Sequence, residues 1–327
     1  MADRRVIFLL KPLPSPSGGV AAIYRHVEIL NTHGVPAFVA LRKKPKVDFY
    51  RTTAPQLIFG NALLGKRASL RRQVRAGDIW VVPEVYPDYI RMLEGTPAKR
   101  LMLCQNHYFL PLPLDSRGGI DEFSVHGVIA TTESIQSFFR DVYSTPVPYL
   151  HSYAIDPQIF APALVKKRQI AYMPRKLSNE DVAFLIACFK RRHASYSGVP
   201  WVKIADVPQS EAARIMGESG VFLSLSHKDS LGLPPLEAMA CGCLVAGYHG
   251  DGGRTFMTPD NGWWADTGDW KACIDGLAAA LAVFDSGGDA VVARRRAMAA
   301  TVAHYGLERL ERDVVSFWRQ ELASPFP

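Results

Sequence analysis

The chain has 327 residues, 48% of them hydrophobic and 21% charged, with a formal net charge of +7. That length exceeds one ordinary core and suits two domains of about 150 residues each, and the composition excludes a disordered chain. No apolar run approaches the roughly 20 residues that cross a bilayer, and Val6–Leu10 is too short for a secretory leader and reads as a buried first strand.

Short apolar strands alternate with amphipathic helical stretches from end to end, the pattern of α/β layers around parallel sheets. In the first half the strands are expected at Arg5–Leu10, Ala37–Leu41, Asp78–Val82, Leu101–Cys104 and Gly127–Ala130. Ser134 is expected to open a helix over Ile135–Tyr143. A proline-rich stretch then carries Pro146, Pro148, Pro157 and Pro162 and ends in Lys166-Lys167-Arg168. Proline fixes extended backbone, so residues 151–168 read as a linker between domains at 1–150 and 169–306. The second half has strand candidates at Gln169–Met173, Trp201–Ile204, Val221–Leu225 and Leu244–Tyr248, with Ser178 and Asp181 opening a helix between the first two. The closing helical pattern, residues 307–322, contains Trp318 and is expected to complete the first domain.

Charge is unevenly placed. Residues 1–150 hold 19 Lys/Arg against 12 Asp/Glu, whereas residues 151–327 are balanced at 19 and 19. Much of the excess lies in Arg42-Lys43-Lys44-Lys46 and in Lys66, Arg67, Arg71, Arg72 and Arg75. Such a face attracts phospholipid, a lipid-phosphate acceptor or nucleic acid; an ordinary solvated surface is the alternative reading. The five cysteines are odd in number and show no metal-ligand spacing, so they read as reduced core residues, and a cytoplasmic protein is expected. Gly60 to Lys66 resembles a P-loop, but Arg67 stands where a Ser or Thr is needed for magnesium. No G-x-G-x-x-G follows the first strand, which argues against a nicotinamide dinucleotide.

The most informative segment is 221–253. A strand is followed by the loop Ser226–Pro234, a helix opening at Pro235, a second strand and the turn Gly250-Asp251-Gly252-Gly253. Proline is tolerated in a first helical turn, where amides lack intrahelical partners, so the helix N-terminus is expected to face the carboxyl edge of a sheet, where phosphates bind. Asp229 on the loop and Glu237 in the first helical turn place two carboxylates in one crevice, each a bidentate acceptor for vicinal hydroxyls. Gly252 and Gly253 let backbone amides approach a ligand. A helix-dipole role for Glu237 and plain turns for the glycines are the simpler reading.

Asp229-Ser-Leu-Gly-Leu-Pro-Pro-Leu-Glu237 resembles the E-x7-E signature of family 4 retaining glycosyltransferases, whose GT-B fold sets two Rossmann-like domains with parallel sheets across a cleft. The resemblance implies that Glu237 holds the ribose hydroxyls of a nucleotide donor. It implies that Asp229, one methylene shorter than the family's first acid, contacts the donor sugar, and that Leu231, Gly232 and Leu233 line the donor loop. Gly18-Gly19-Val20 is similar to the family's glycine loop near the donor phosphates. Ile155–Pro162 resembles its interdomain crossing, and Asn261-Gly262-Trp263-Trp264 with Gly268-Asp269 its run before the late helices. The diphosphate is then met by the adjacent pair Arg175 and Lys176, with Arg254 a second source of charge. His107 is similar to a family histidine facing the sugar; a structural histidine is the alternative. Glu84 is a candidate on the acceptor side, and His227 and His249 lie near the site without an assigned role.

This family implies transfer of a sugar from a nucleotide-diphosphate donor to an acceptor hydroxyl with retention and no obligatory metal or other cofactor. Positive charge and amides then stabilise the leaving phosphate, which accepts the acceptor's proton. The expected setting is polysaccharide, lipopolysaccharide or glycolipid synthesis, with a glycan or lipid-linked acceptor, peripheral contact with an anionic membrane at its inner face, and no nucleic acid. Two rival readings are a catalytically inactive relative that binds a nucleotide sugar or a partner, and a nucleotide-sugar epimerase.

Overall fold

In the computed structural model, residues 4–13, 17–45, 50, 52–60, 65–110, 123–174 and 176–324 are described. The chain divides into two compact units, Met1–Tyr153 with Glu308–Pro327, and Ala154–Leu307.

The first unit holds a six-stranded, wholly parallel sheet in the order β3-β2-β1-β4-β5-β6. Its elements are β1 (Val6–Leu10), α1 (Gly18–Thr32), β2 (Ala37–Leu41), β3 (Gln56–Ile58), α2 (Lys66–Arg71), β4 (Ile79–Pro83), α3 (Pro87–Met92), β5 (Lys99–Cys104), β6 (Gly127–Ala130) and α4 (Glu133–Tyr143). Both β1 and β4 are buried along their whole length, so they read as continuous apolar runs rather than alternating ones, as in a parallel sheet covered on both faces. At the N-terminal edge Arg5 grips Asp78 through two hydrogen bonds of 2.9 and 2.7 Å, both groups buried. Thr132, not Ser134, caps α4, its hydroxyl accepting from the Ile135 amide.

The second unit holds a five-stranded parallel sheet in the order β11-β10-β9-β7-β8. It comprises β7 (Lys167–Tyr172), α5 (Asn179–Arg192), β8 (Trp201–Lys203), α6 (Gln209–Glu218), β9 (Ser219–Asp229), α7 (Leu233–Ala240), β10 (Leu244–Asp251), β11 (Trp263–Ala265), α8 (Trp270–Ser286) and α9 (Gly288–Ala303). Ser178 and Asp181 form a reciprocal capping box at the start of α5. The last helix, α10 (Leu307–Ala323), packs its buried Trp318 edge-on to Phe8 of the first unit's core, with ring centroids 5.4 Å apart.

Two boundaries differ from expectation where the site lies. β9 continues through Ser226–Lys228 to Asp229, because β10 carries on alongside it as far as Asp251. α7 begins at Leu233, with Gly232 at φ +92° as its N-cap and both prolines inside the first turn. Glu237 therefore stands in the second turn of α7, not the first. No helix among the described residues is long and apolar enough to cross a membrane.

Candidate active site

In the second unit the order of connection reverses between β7 and β9. Open α/β sheets take their ligands outside the carboxyl ends of the strands at such a switch point. Two of the singled-out residues meet there. Lys176, just past β7, donates through Nζ to Asp229 Oδ1 at 2.8 Å and to the Lys228 carbonyl at 2.5 Å. Asp229 closes β9 and is 6% exposed, so it is a carboxylate drawn out of water against a partly exposed ammonium. Burial makes this geometry demanding, since a buried charge needs both its partner and further hydrogen bonds. Arg175 lies outside the described residues.

The chain turns from β9 into α7 through Ser230, Leu231 and Gly232, all buried. The glycine-rich turn after β10 lies directly against this segment. A Cβ on Gly252 would fall 2.1 Å from both the carbonyl carbon and oxygen of Ser230. The glycine is thus demanded by backbone packed on backbone, whereas the sequence suggested amides approaching a ligand. Leu233 and Glu237 are half-buried on α7.

Arg254, expected at the phosphate, instead bonds Asp266 through Nη2. His249 meets the same Oδ1 through Nε2, and its Nδ1 accepts from the Asp251 amide, which fixes the proton on Nε2. The His249 hydrogen bond, then Arg254, hold the Asp266 carboxyl below its ordinary range. These three residues border a cavity of about 810 Å³ that also has Trp263, Trp264 and Asp269 in its wall. Asp266 was not singled out in the sequence. Its signal was weak: one acid just ahead of the Gly268-Asp269 run.

In the first unit the residues of interest collect at the carboxyl ends of β1, β4 and β5. Gly18, Gly19 and Val20 are the opening residues of α1 rather than a preceding loop. A Cβ on Gly19 would sit 2.8 Å from Gln105 Oε1, and Gln105 Nε2 donates to the Gly19 carbonyl at 3.0 Å. Glu84, 3% exposed, does not face outward as an acceptor-side residue would. It accepts the Gln105 amide at 3.0 Å on one oxygen and the Asn106 amide at 2.9 Å on the other. Burial pushes its carboxyl up to about 7 against those two amides, which favour the charged form. The same turn carries His107, half-buried and stacked on Phe138 of α4 at 4.9 Å between ring centroids. Glu84 and Gln105 thus position the turn that bears His107.

Among the described residues no cluster of three or more His, Cys, Asp or Glu side chains is arranged to hold a metal ion.

Residues 204–283 match the family description "Glycosyl transferases group 1", a span that includes β9, α7 and β10. The chain is 27% identical over 259 residues to an alpha-1,6-glucosyltransferase of Actinobacillus pleuropneumoniae serotype 7, covering 76% of this chain and 73% of that one. Among solved structures it is similar to sucrose-phosphate synthase from Thermosynechococcus elongatus, at a TM-score of 0.72, 13% identity and coverage of 99% and 100% of the two chains. It is likewise similar to Anabaena HepE in complex with UDP-glucose, at a TM-score of 0.69, 14% identity and coverage of 97% and 99%. The group 1 domain, the glucosyltransferase relative and the two parallel-sheet units together make this protein a glycosyltransferase of GT-B fold.

Proposed function

We propose that the protein is a retaining transferase of family 4 type that moves glucose from a uridine-diphosphate donor to an acceptor hydroxyl during cytoplasmic synthesis of a surface glycan or glycolipid. The observation that carries this reading is the Lys176–Asp229 pair at the β7/β9 switch point, with Glu237 on the helix that follows. The glucose assignment leans on the A. pleuropneumoniae relative, and the uridine nucleotide on the HepE complex.

In this reading Glu237 receives the ribose hydroxyls and Asp229 the hydroxyls of the sugar. Lys176, and Arg175 with it, meets the diphosphate. An incoming diphosphate draws the Lys176 ammonium from Asp229 and leaves the carboxylate turned to the sugar, so one exchange of partners readies both groups. Leu231, Gly232 and Leu233 bring the start of α7 to the donor, and the helix N-terminus adds partial positive charge at the leaving phosphate. Arg254 reaches the phosphate only on leaving Asp266. His107 acts on the sugar, and Gly18 and Gly19 on the phosphates, by resemblance to the family. The acceptor hydroxyl attacks the anomeric carbon from the side the diphosphate leaves, and its proton passes to a phosphate oxygen. Charge at the leaving group comes from these side chains and amides without an obligatory metal ion, and the basic first unit contacts an anionic membrane surface.

The test is turnover of UDP-glucose in the presence of a chelator, with the product's anomeric configuration read by NMR. An α-linked product, formed without divalent metal, is expected. A β-linked product overturns retention, and strict dependence on added metal overturns the charge assignment.

A further inference from the structure

The carboxyl edge of the first unit's sheet has a second cluster that the donor chemistry does not use. Its order, β3-β2-β1-β4-β5-β6, reverses between β1 and β4, which marks a switch point of its own. Lys11 follows β1, and its ammonium lies 4.8 Å from the Tyr86 ring centroid and 5.3 Å from that of Tyr89, both past β4. Lys66, at the start of α2, lies 4.2 Å from the Tyr89 centroid. Arg42, just past β2 and exposed, acts electrostatically on Tyr89. The two tyrosines are fixed from below: Tyr86 and Tyr89 pack edge-to-face at 6.3 Å, and Phe59 packs edge-on to Tyr89 at 6.2 Å.

No carboxylate among the described residues pairs with Lys11, Arg42 or Lys66; Asp88 and Glu84 act on the tyrosines instead, and Glu84 is occupied by the Gln105 and Asn106 amides. A ring holds an ammonium in place by its quadrupole without cancelling the charge. The result is a set of oriented, un-neutralised cations on a rigid aromatic floor at the place where an α/β sheet takes a ligand.

We propose that Lys11, Arg42 and Lys66 form a subsite for an anionic group, phosphate or carboxylate, carried by the saccharide acceptor. The inference rests on the reading of the protein as a glycosyltransferase and adds the acceptor's chemistry to it. The cluster is centred on β1 and β4, and His107 follows β5. One to two strand spacings of about 4.8 Å separate them along the sheet edge, a span that a mono- or disaccharide bridges. The anionic group therefore belongs to the acceptor sugar itself or to its immediate neighbour.

The test is ligand-observed saturation-transfer NMR with glucose 6-phosphate, glucuronate and glucose. It is run on the full chain in saturating UDP, so that the donor site is filled. Glucose 6-phosphate or glucuronate should bind and glucose should not, and the stronger of the first two names the anion. Lys11→Gln with Lys66→Gln should weaken that binding by about tenfold or more, the loss of charge-assisted hydrogen bonds. Lys66→Gln alone, at a half-buried helix start, is the milder variant if the double one fails to fold. Equal binding of glucose, or anion binding untouched by the variants, overturns the subsite. UDP affinity is measured separately on the same proteins. If UDP binds normally and neither anion does, the subsite alone fails; if UDP does not bind the parent protein, the transferase reading fails first.

Discussion

Glu84→Gln tests the account of the first unit most sharply, because the amide is nearly isosteric and does not titrate. Burial raises the Glu84 carboxyl from an ordinary 4.5 to about 7. A carboxyl whose value is higher in the folded state stabilises the fold fully below the unfolded value and loses that stabilisation as pH rises through the folded one. The gap, at about 1.4 kcal/mol per pH unit, amounts to about 3 kcal/mol between pH 4.5 and pH 8. Glutamine carries none of that dependence. It turns an N–H toward one of the two amides that Glu84 accepts, at a cost of about 1–3 kcal/mol at every pH. The variant should therefore be less stable than the parent at pH 5, and its deficit should shrink or reverse by pH 8, closing by about 2.5 kcal/mol. Urea unfolding at a series of pH values, read by hydrogen exchange on peptides of β4 and β5, follows this unit by itself. Parallel curves for the two proteins would mean that Glu84 is no harder to ionise folded than unfolded, contrary to its burial.

Gly252→Ala forces a methyl into the Ser230 backbone and should destabilise the second unit by about 1–3 kcal/mol, with weaker UDP binding as the α7 entry shifts; thermal unfolding and titration check both. His26 is fully buried, and that burial lowers its ring to about 4, so its contribution is intact above pH 6.5 and is lost as pH falls through 4, by up to about 3 kcal/mol. His26→Gln should flatten that acid limb in the same exchange experiment; an unchanged limb would assign it elsewhere. Sedimentation with vesicles rich in phosphatidylglycerol should show binding at low ionic strength that is lost at about 0.5 M salt, where screening falls to a few ångströms; no binding at low salt would remove the membrane contact.

The strands at the centre of both sheets were legible where they carry a short apolar run, as in Val6–Leu10 and Leu244–Tyr248. β3 and β11 were not, since Gln56–Ile58 and Trp263–Ala265 are three-residue edge strands too short to show a period; β8, equally short and at an edge, was legible because Ile204 extends the apolar pattern of Trp201 and Val202. The end of β9 was missed for a related reason. Ser226, His227, Lys228 and Asp229 are polar because they reach the ligand edge, and polarity there mimics a loop. The start of α7 was read two residues late, at Pro235, because Leu233 and Pro234 look like loop, whereas both prolines lie inside the first turn. Ser178 and Asp181 were readable because a capping box is local. At the site, the segment from Asp229 to Glu237 was visible as a spacing, but its pairings were not. Lys176 with Asp229, Glu84 with the Gln105 and Asn106 amides, and Asp266 with His249 and Arg254 join distant positions that only the sheet order brings together.

Calorimetric titration of the parent protein and Glu237→Ala with UDP, in chelator, tests the donor site most directly. Saturable binding by the parent is expected, with a loss of about 10- to 150-fold in the variant, the equivalent of about 1.5–3 kcal/mol for charged hydrogen bonds to the ribose. Equal affinity in the two proteins, or no binding to either, would contradict the donor-site assignment.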